Sequence, residues 1–342
     1  MNDKKEKLEE DILTIAIKNL DKRFGKGIVQ LSSKFRIDDP IEVFSTRSLL
    51  LDKALGIGGI PRGRITEIFG SNSSGKTSLT LNIIADAQNK GQKCVFIDAE
   101  HALDLGWAKN LGVDLDKLYI SQPSCAEEAL DIAEELIRSN SIAIVVVDSV
   151  SALVPQAEID GDMSDQQIGL QARIMGKALR KLTGPVAQSN VSLIFVNQIR
   201  SNINAYLGGG DVTSGGNALK FYTSIRLELK KIKQIKVGTN TVGDTIRAKV
   251  VKNKLASPFK ICELSLMYGI GFSLIDEIID ELMRGNIITR EGAWFKMDGK
   301  VLGQGRGAVK EYIQTTDGEL QRLLELAKST VVLEGSEMPT DE

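Results

Sequence analysis

Short apolar runs alternate with longer stretches of helical periodicity through the middle of the chain, from about residue 62 to 270. The predicted strands are 65–69, 94–98, 118–121, 142–148, 192–197, 225–230, 245–252 and 262–267, and the main predicted helices are 77–89, 126–139 and 169–188. Strands that alternate with helices predict an α/β fold with a mainly parallel, twisted sheet covered on both faces. The later strands follow one another without long helices, which predicts an antiparallel extension of the sheet.

Smaller units flank this region. Residues 1–24 have helical periodicity and 28–31 have the pattern of a short strand. After about residue 272 come a strongly amphipathic helix, a short strand at 293–295 and a helix from about 318 to 328. The predicted organisation is an N-terminal oligomerisation helix and strand (1–35), a central domain (36–271), a small C-terminal α/β domain (272–333) and a short acidic disordered tail (334–342).

Composition excludes several classes of protein. The longest clean apolar run, 142–147, is far shorter than the roughly 20 residues of a membrane helix, and the charged N-terminus is unlike a secretory signal. Three widely spaced cysteines favour a reducing, cytoplasmic location, and a single histidine excludes His-rich metal sites. With a net charge of −2, any binding of nucleic acid must come from a local surface.

A complete P-loop lies between the first predicted strand of this region and the helix after it. The order strand, glycine-rich loop and helix directs backbone N–H groups and a helix N-terminus at a phosphate chain, which distinguishes it from a chance glycine-rich turn. Lys76 is expected to reach the β- and γ-phosphates, and Thr77 to bind Mg²⁺. The predicted nucleotide-binding residues are Gly70, Ser71, Asn72, Ser73, Ser74, Gly75, Lys76, Thr77 and the adjoining Ser78.

The most apolar strand ends in Asp148, the Walker B arrangement that holds Mg²⁺, although buried strands also end in Asp as a simple turn residue. Glu100 follows the strand after the P-loop helix and could activate water, or could be a solvated loop carboxylate. Gln198 ends another strand and could bond to a γ-phosphate oxygen, or could be an ordinary strand-end amide. Lys252 and Lys254 share one face of a strand end and could neutralise transition-state charge, or could be solvated surface charge.

Taken together, these segments closely resemble the bacterial RecA recombinase family, from about residue 10 to 325. The resemblance rests on residues that occur in the family's order and spacing: 70–77, 96–102, 146–149, 195–200, 215–222 and 250–254. It implies a P-loop ATPase domain in which Glu100 is the general base and Gln198 senses the γ-phosphate. It also implies that Lys252 and Lys254 reach the ATP of a neighbouring subunit. Asp104, Trp107 and Tyr268 would surround the adenine.

The resemblance also implies a DNA channel formed by two loops, at about 158–169 and 199–217. Ile168 and Ile203 would wedge between groups of bases. The other residues that it implies for DNA binding are Arg173, Arg180, Arg200, Gly215, Gly216 and Asn217. Lys300, Arg306 and Lys310 of the C-terminal module could collect duplex DNA, or could be scattered surface charge.

The leading interpretation is a DNA-dependent ATPase that uses ATP and Mg²⁺, forms helical filaments on single-stranded DNA and exchanges strands with duplex DNA in recombinational repair. The resemblance further implies that the filament promotes self-cleavage of the SOS repressor and works with recombination mediators; no membrane is involved. A hexameric motor or helicase of the same fold and a small-molecule kinase are the alternatives. The kinase would need an acceptor pocket and an arginine-bearing lid, and neither is clear in the sequence.

Overall fold

The computed structural model describes residues 2–31, 41–162, 169–200 and 212–330. The chain divides into two compact units, residues 1–41 and 42–342. In the first unit, the predicted N-terminal helix is present as α1 (Asn2–Phe24). The predicted strand at 28–31 is wrong, because this backbone forms turns and bends after Gly25 and Gly27, both of which have positive φ. A strand requires a hydrogen-bonded neighbour, and the described residues of this unit provide a helix alone.

The second unit contains the remaining helices and strands. Its helices are α2 (Leu49–Leu55), α3 (Lys76–Asn89), α4 (Leu105–Asn110), α5 (Ala126–Arg138), α6 (Gln156–Asp160), α7 (Leu170–Ser189), α8 (Ala218–Tyr222), α9 (Leu274–Arg284), α10 (Gly305–Thr315) and α11 (Glu319–Thr330). Its strands are β1 (Val43–Phe44), β2 (Ile60–Pro61), β3 (Ile65–Gly70), β4 (Cys94–Asp98), β5 (Leu118–Ser121), β6 (Ile144–Asp148), β7 (Ser192–Arg200), β8 (Val212–Thr213), β9 (Ile225–Val237), β10 (Asn240–Asn253), β11 (Ile261–Met267), β12 (Gly271–Phe272), β13 (Ile288–Glu291), β14 (Trp294–Met297) and β15 (Lys300–Gln304).

A ten-stranded sheet organises this unit, in the order β12-β11-β10-β9-β3-β7-β6-β4-β5, with β8 paired to β7 outside this path. Neighbours from β9 to β5 are parallel, whereas β9 to β12 are joined by antiparallel pairing. The predicted α/β fold and its antiparallel extension are therefore confirmed. Crossover helices on both faces are the physical requirement of such a parallel sheet.

Both faces of the sheet are buried, as β6 illustrates. Ile144 and Val146 belong to a hydrophobic cluster with α2 and α3, whereas Val145 and Val147 belong to a second cluster with α5 and α7. Alternate side chains of a strand point to opposite faces, so a strand buried twice must be apolar at every position. This requirement explains the continuous run of β-branched residues that the sequence shows at 144–147.

The C-terminal elements form a three-stranded antiparallel sheet, β13-β14-β15, accompanied by α9, α10 and α11. Their buried residues, including Leu282 and Val309, continue the cluster that contains Leu55 of α2 and Ile246 of the larger sheet. The apolar core thus extends without interruption into the C-terminal elements. Among the helices in the described parts of the chain, none is long and apolar enough to cross a membrane.

Candidate nucleotide and nucleic-acid site

The residues predicted to carry chemistry meet at the carboxyl ends of four adjacent parallel strands. Gly70, at the end of β3, lies opposite Gln198 of β7, and Asp98, at the end of β4, lies opposite Asp148 of β6. Ligands of open α/β sheets bind at this edge, where the loops after the strands converge. The topology therefore brings the P-loop, Glu100, Asp148 and Gln198 to one edge of the sheet.

The P-loop fits tightly between its neighbours. A Cβ atom on Gly70 would lie 2.0 Å from the carbonyl oxygen of Leu229, so only glycine allows β3 and β9 to approach as they do. Gly75 has a φ of 84° and precedes α3 directly. The Lys76 ammonium donates to the carbonyl oxygens of Ser71 at 2.7 Å and Gly70 at 3.2 Å, and burial lowers its pKa, opposed by Asp148 and Glu100.

Thr77 and Asp148 form the oxygen pair predicted for Mg²⁺. The Thr77 hydroxyl donates to Asp148 Oδ2 at 2.6 Å, and burial raises the pKa of Asp148 to about 6. One hydroxyl and one carboxylate oxygen suit Mg²⁺, which takes few protein ligands and completes its shell with water and phosphate oxygens. The described residues contain no cluster of three or more His, Cys, Asp or Glu that could form a protein-only metal cage. The nearby Ser74 hydroxyl is buried and has no hydrogen-bond partner, so the loop retains an unused donor.

Glu100 and Gln198 are in direct contact. Gln198 Nε2 donates to Glu100 Oε1 at 2.8 Å, and the Ser149 hydroxyl donates to the same carboxylate oxygen. The structure thus joins the two residues whose separate roles the sequence left open. Ser149 was missed, although a hydroxyl directly after the Walker B aspartate was a visible signal.

The residues expected around the adenine are connected in part. Trp107 Nε1 donates to the Ser78 hydroxyl at 3.0 Å, which fixes the indole against the P-loop helix α3. Asp104 caps α4 by accepting from the Trp107 backbone N–H at 2.9 Å. Tyr268, which is half exposed, instead donates its hydroxyl to Asp244 Oδ2 at 2.9 Å.

Lys252 and Lys254 do not contact the P-loop of their own chain. The Lys252 ammonium donates to the carbonyl oxygens of Lys220 at 2.6 Å and Phe221 at 3.2 Å, and Lys254 donates to Phe221 at 3.3 Å. Partial burial is the main cause that lowers the pKa of Lys252, and the positive charges of Lys254 and Arg226 lower it further. The two lysines thus converge on the end of α8.

Several residues expected at the DNA interface lie on α7 or against its start. Arg173 and Arg180 are exposed and lie seven positions apart, which places them on one face of that helix. Gly215 and Gly216 have φ of 80° and 75°; a Cβ on Gly216 would lie 2.7 Å from Ala172 Cβ, next to Arg173. The following Asn217 is the N-cap residue of α8, without a capping bond from its side chain.

Three more residues were predicted to contact DNA: Arg200, Ile168 and Ile203. The backbone of Arg200 pairs with Val212 in the β7–β8 ladder. Ile168 and Ile203 lie outside the described residues.

The basic residues considered for duplex DNA lie in the C-terminal elements. Arg306 pairs with Asp276 at 2.8 Å and Asp280 at 2.7 Å.

Lys300 and Lys310, the other two residues considered for duplex DNA, also have partners. Lys310 pairs with Asp276 at 2.6 Å, and Lys300 donates to the Tyr312 hydroxyl at 3.0 Å. These contacts favour a structural role for much of the charge that the sequence offered as a surface for duplex DNA.

A buried polar network behind the site was also missed. Glu67 is fully buried in β3, where it pairs with Arg226 at 2.5 Å and accepts from Asn197 at 3.0 Å. The available signal was a single carboxylate inside an apolar strand, since buried carboxylates require partners. The sequence could not name those partners, which are more than a hundred residues away.

A parallel sheet with a P-loop, a Walker B aspartate and a Glu–Gln pair at one edge defines a P-loop nucleotide-binding enzyme. Family models identify the RecA N-terminal domain at residues 11–273 and the RecA C-terminal domain at 276–325. The chain belongs to the RecA family of DNA-dependent ATPases, so the predicted family and enzyme class are confirmed.

Three relatives illustrate the extent of the likeness. Protein RecA of Rhodospirillum rubrum is 48% identical over 327 residues, covering 95% of this chain and 89% of that protein. Protein RecA of Chloroherpeton thalassium is 49% identical over 337 residues, covering 97% and 93%. Protein RecA of Nitratiruptor sp. is 50% identical over 335 residues, covering 95% and 97%. The likeness therefore extends over both domains, and it supports a role in DNA recombination and repair.

Proposed function

We propose that the protein uses ATP and Mg²⁺ to assemble a helical filament on single-stranded DNA, and that the filament pairs and exchanges homologous strands with duplex DNA in the cytoplasm. The observation that carries this proposal is the contact between Glu100 and Gln198 at 2.8 Å, beside the Thr77–Asp148 pair. It joins a base suited to activate water with an amide at the start of the segment that leads to the DNA-binding glycines.

The catalytic roles follow from where these side chains lie. Lys76 and the P-loop N–H groups would bind the phosphates, and Glu100 would accept a proton from the attacking water. Thr77 and Asp148 would hold Mg²⁺, which supplies positive charge to the phosphate oxygens. Burial raises the pKa of Asp148 to about 6. Nearby positive charge lowers the pKa of a carboxyl group, so it would favour the ionised form of Asp148.

Assembly between copies accounts for two features of the chain. Lys252 and Lys254 contact α8 and not their own P-loop, which agrees with a role at the nucleotide of a neighbouring copy. On α1, Ile12, Ile15 and Phe24 are each more than half exposed. An exposed apolar face on a helix is a site for association, here with the next copy in the filament.

The DNA-binding surface would combine Arg173 and Arg180 of α7 with the backbone N–H groups of Gly215 and Gly216. Arginine side chains and glycine N–H groups both bind phosphate oxygens without reading sequence. Binding of this kind suits a protein that must act on any single strand. Repressor self-cleavage and the action of recombination mediators would then depend on the assembled filament.

Turnover of ATP, measured with and without single-stranded DNA and combined with electron microscopy, tests the proposal. The expected result is stimulation by DNA together with long helical filaments. Lys76→Ala should lower turnover by about 100-fold or more, the scale seen when a donor that stabilises transition-state charge is removed. Lys117→Ala, at an exposed lysine paired with Asp114, is the matched control and should leave turnover unchanged.

The alternatives give different results in the same experiment. Closed hexamers without filaments would favour a RecA-fold motor or helicase. Transfer of phosphate to a metabolite, independent of DNA, would favour a small-molecule kinase. Normal turnover by Lys76→Ala would contradict the assignment of the active site.

A further inference from the structure

The side-chain amide of Asn197 joins three parts of the site. Its Oδ1 accepts from the backbone N–H of Gln198 at 2.9 Å. Its Nδ2 donates to the Ser214 carbonyl oxygen at 2.9 Å and to Glu67 Oε1 at 3.0 Å. Asn197 is fully buried, and these bonds use both of its amide hydrogens.

Glu67 makes the orientation of this amide definite. It lies in β3, opposite Phe195 of β7 on one side and Arg226 of β9 on the other. Arg226 donates to Glu67 Oε2 at 2.5 Å, and its guanidinium lies 4.6 Å from the centre of the Phe69 ring. One carboxylate oxygen is therefore held by Arg226, and the other accepts from Asn197. A buried carboxylate held in this way fixes the direction in which the Asn197 amide donates.

Ser214 leads directly into the glycines that contact α7. A Cβ atom on Gly215 would lie 2.8 Å from Val150 Cγ1, and one on Gly216 would lie 2.7 Å from Ala172 Cβ. The backbone after Ser214 therefore fits closely against the neighbouring elements. A displacement of the Ser214 carbonyl would also displace the N–H groups of these glycines.

We propose that Asn197 is a positioning residue that couples the backbone of Gln198 to the DNA-contacting segment 214–216. The inference rests on the proposed function, because it assumes that Gln198 responds to the nucleotide and that these glycines bind DNA. A movement of Gln198 that left Ser214 in place would break a buried hydrogen bond and leave an amide or carbonyl unpaired. The two backbones therefore move together, and Glu67 and Arg226 hold the amide that connects them.

The affinity for single-stranded DNA tests this coupling when it is measured with a non-hydrolysable ATP analogue and again with ADP. The quantity of interest is the dissociation constant measured with ADP divided by the dissociation constant measured with the analogue. Asn197→Ala should lower this ratio by about tenfold, the factor that corresponds to about 1.4 kcal/mol. The KM for ATP in the absence of DNA should not change, because the side-chain hydrogen bonds of Asn197 go to Glu67, Ser214 and Gln198 and not to the P-loop. A loss of stability alone would not produce this pattern.

Two further variants separate positioning from general damage. Asn82→Ala removes another asparagine that is only 3% exposed and whose Nδ2 has no partner; it should keep the wild-type ratio. Glu67→Gln keeps an oxygen that can accept from Asn197 but loses the ion pair with Arg226. It should lower the melting temperature while it keeps most of the ratio. Should Asn197→Ala not fold, Asn197→Ser replaces it, because the shorter hydroxyl cannot reach Ser214.

A wild-type ratio in folded Asn197→Ala or Asn197→Ser would overturn the coupling. An equal loss of the ratio in Asn82→Ala would also overturn it, because any buried truncation would then have the same effect. If the wild-type protein itself binds DNA equally well with both nucleotides, the proposed function fails and not this inference alone.

Discussion

The carboxylate of Glu100 is held by two neutral donors, Ser149 and Gln198, whereas the Lys76 ammonium donates to carbonyl oxygens of its own loop. A carboxylate accepts several hydrogen bonds, so Glu100 retains the capacity to bind a water molecule as well. Its two hydrogen-bond donors orient the carboxylate, and neither of them carries a positive charge. This arrangement suits a general base.

Glu100→Gln should separate nucleotide binding from hydrolysis. The amide keeps the size of the side chain but cannot take a proton from water, so kcat should fall by about 100-fold or more. The KM for ATP should stay near the wild-type value, because the P-loop is unchanged. Glu135→Gln, at an exposed position of α5, is the matched control. Steady-state kinetics measures both constants, and a variant with wild-type kcat would exclude Glu100 as the base.

At this scale, the sequence predicted residues whose role is local and missed those that depend on distant partners. The P-loop and Asp148 were accessible because their signal is a short motif in a strand–turn–helix context. The Glu67–Arg226 pair joins residues 159 positions apart, and no local pattern reveals such a contact. Arg306 and Lys310 show the same difficulty in reverse, because a basic residue looks free in a sequence until its acidic partners are located.

Helix α7 and the segment before α8 form one structural element of the proposed DNA interface. Gly215 and Gly216 lie against the start of α7, close to Arg173. Both glycines have positive φ, which other residues rarely adopt. The backbone of this segment is thus as specific a feature as any side chain around it.

Gly215→Ala should weaken binding to single-stranded DNA in the presence of an ATP analogue. The new Cβ would lie 2.8 Å from Val150 Cγ1, at a φ of 80°, so the segment must shift. Left-handed backbone costs about 1–2 kcal/mol for a residue with a Cβ. The clash in addition moves the segment and its N–H groups, and a loss of about 1.4 kcal/mol of phosphate binding lowers the affinity by about tenfold. Fluorescence anisotropy with a labelled oligonucleotide measures the change.

Gly238→Ala is the matched control, because it has a φ of 62° in the β9–β10 turn and open space around its Cβ. It should share the backbone cost but not the clash, and its DNA affinity should stay near wild type. Equal losses of affinity in both variants would show that the position of Gly215 has no special importance.

Strands that an apolar run between turns defines were predicted well, whereas the parts of strands that depend on pairing with a neighbour were not. The strand at 94–98, buried at every position, and the edge strand at 118–121, exposed at two of its four positions, both have the predicted bounds. β9 and β10 extend well beyond the predicted 225–230 and 245–252, because their outer halves pair with each other and carry polar side chains. Helix α10 was missed, because Gly305 and Gly307 in its first turn weaken the helical pattern.

At the scale of the whole molecule, a buried carboxylate connects the C-terminal helix α9 to the central sheet domain. Glu277 of α9 accepts from the Ser48 hydroxyl at 3.0 Å and from the Leu50 backbone N–H at 3.3 Å, at the start of α2. Burial raises the pKa of Glu277 to about 8. Asp52 of α2 is another buried carboxylate, which accepts from Ser45 and Thr46, and burial raises its pKa to about 6. The contact between α2 and α9 therefore favours the protonated form of Glu277.

The free energy of unfolding should fall as the pH rises from about 4.5 to about 8. A carboxyl group whose pKa is raised by folding binds more protons in the native state, so its stabilising contribution is lost as the pH approaches the folded pKa. For Glu277 the window runs from 4.5 to about 8, with a slope of at most about 1.4 kcal/mol per pH unit. Urea unfolding at several pH values, with circular dichroism as the readout, measures the slope.

Glu277→Gln should reduce this slope, because the amide does not titrate. Glu263→Gln, at an exposed position of β11, should leave the slope unchanged. If both variants keep the wild-type slope, another group is responsible for the pH dependence.

The contact between Trp107 and the helix that follows the P-loop gives the protein a built-in optical reporter. The chain contains only two tryptophans, and the second, Trp294, lies in the C-terminal sheet. Replacing Trp294 by phenylalanine would leave a single indole whose emission reports on its surroundings beside Ser78. Binding and release of nucleotide at the proposed site could then be followed in real time, without attaching a dye to the protein or to its ligands.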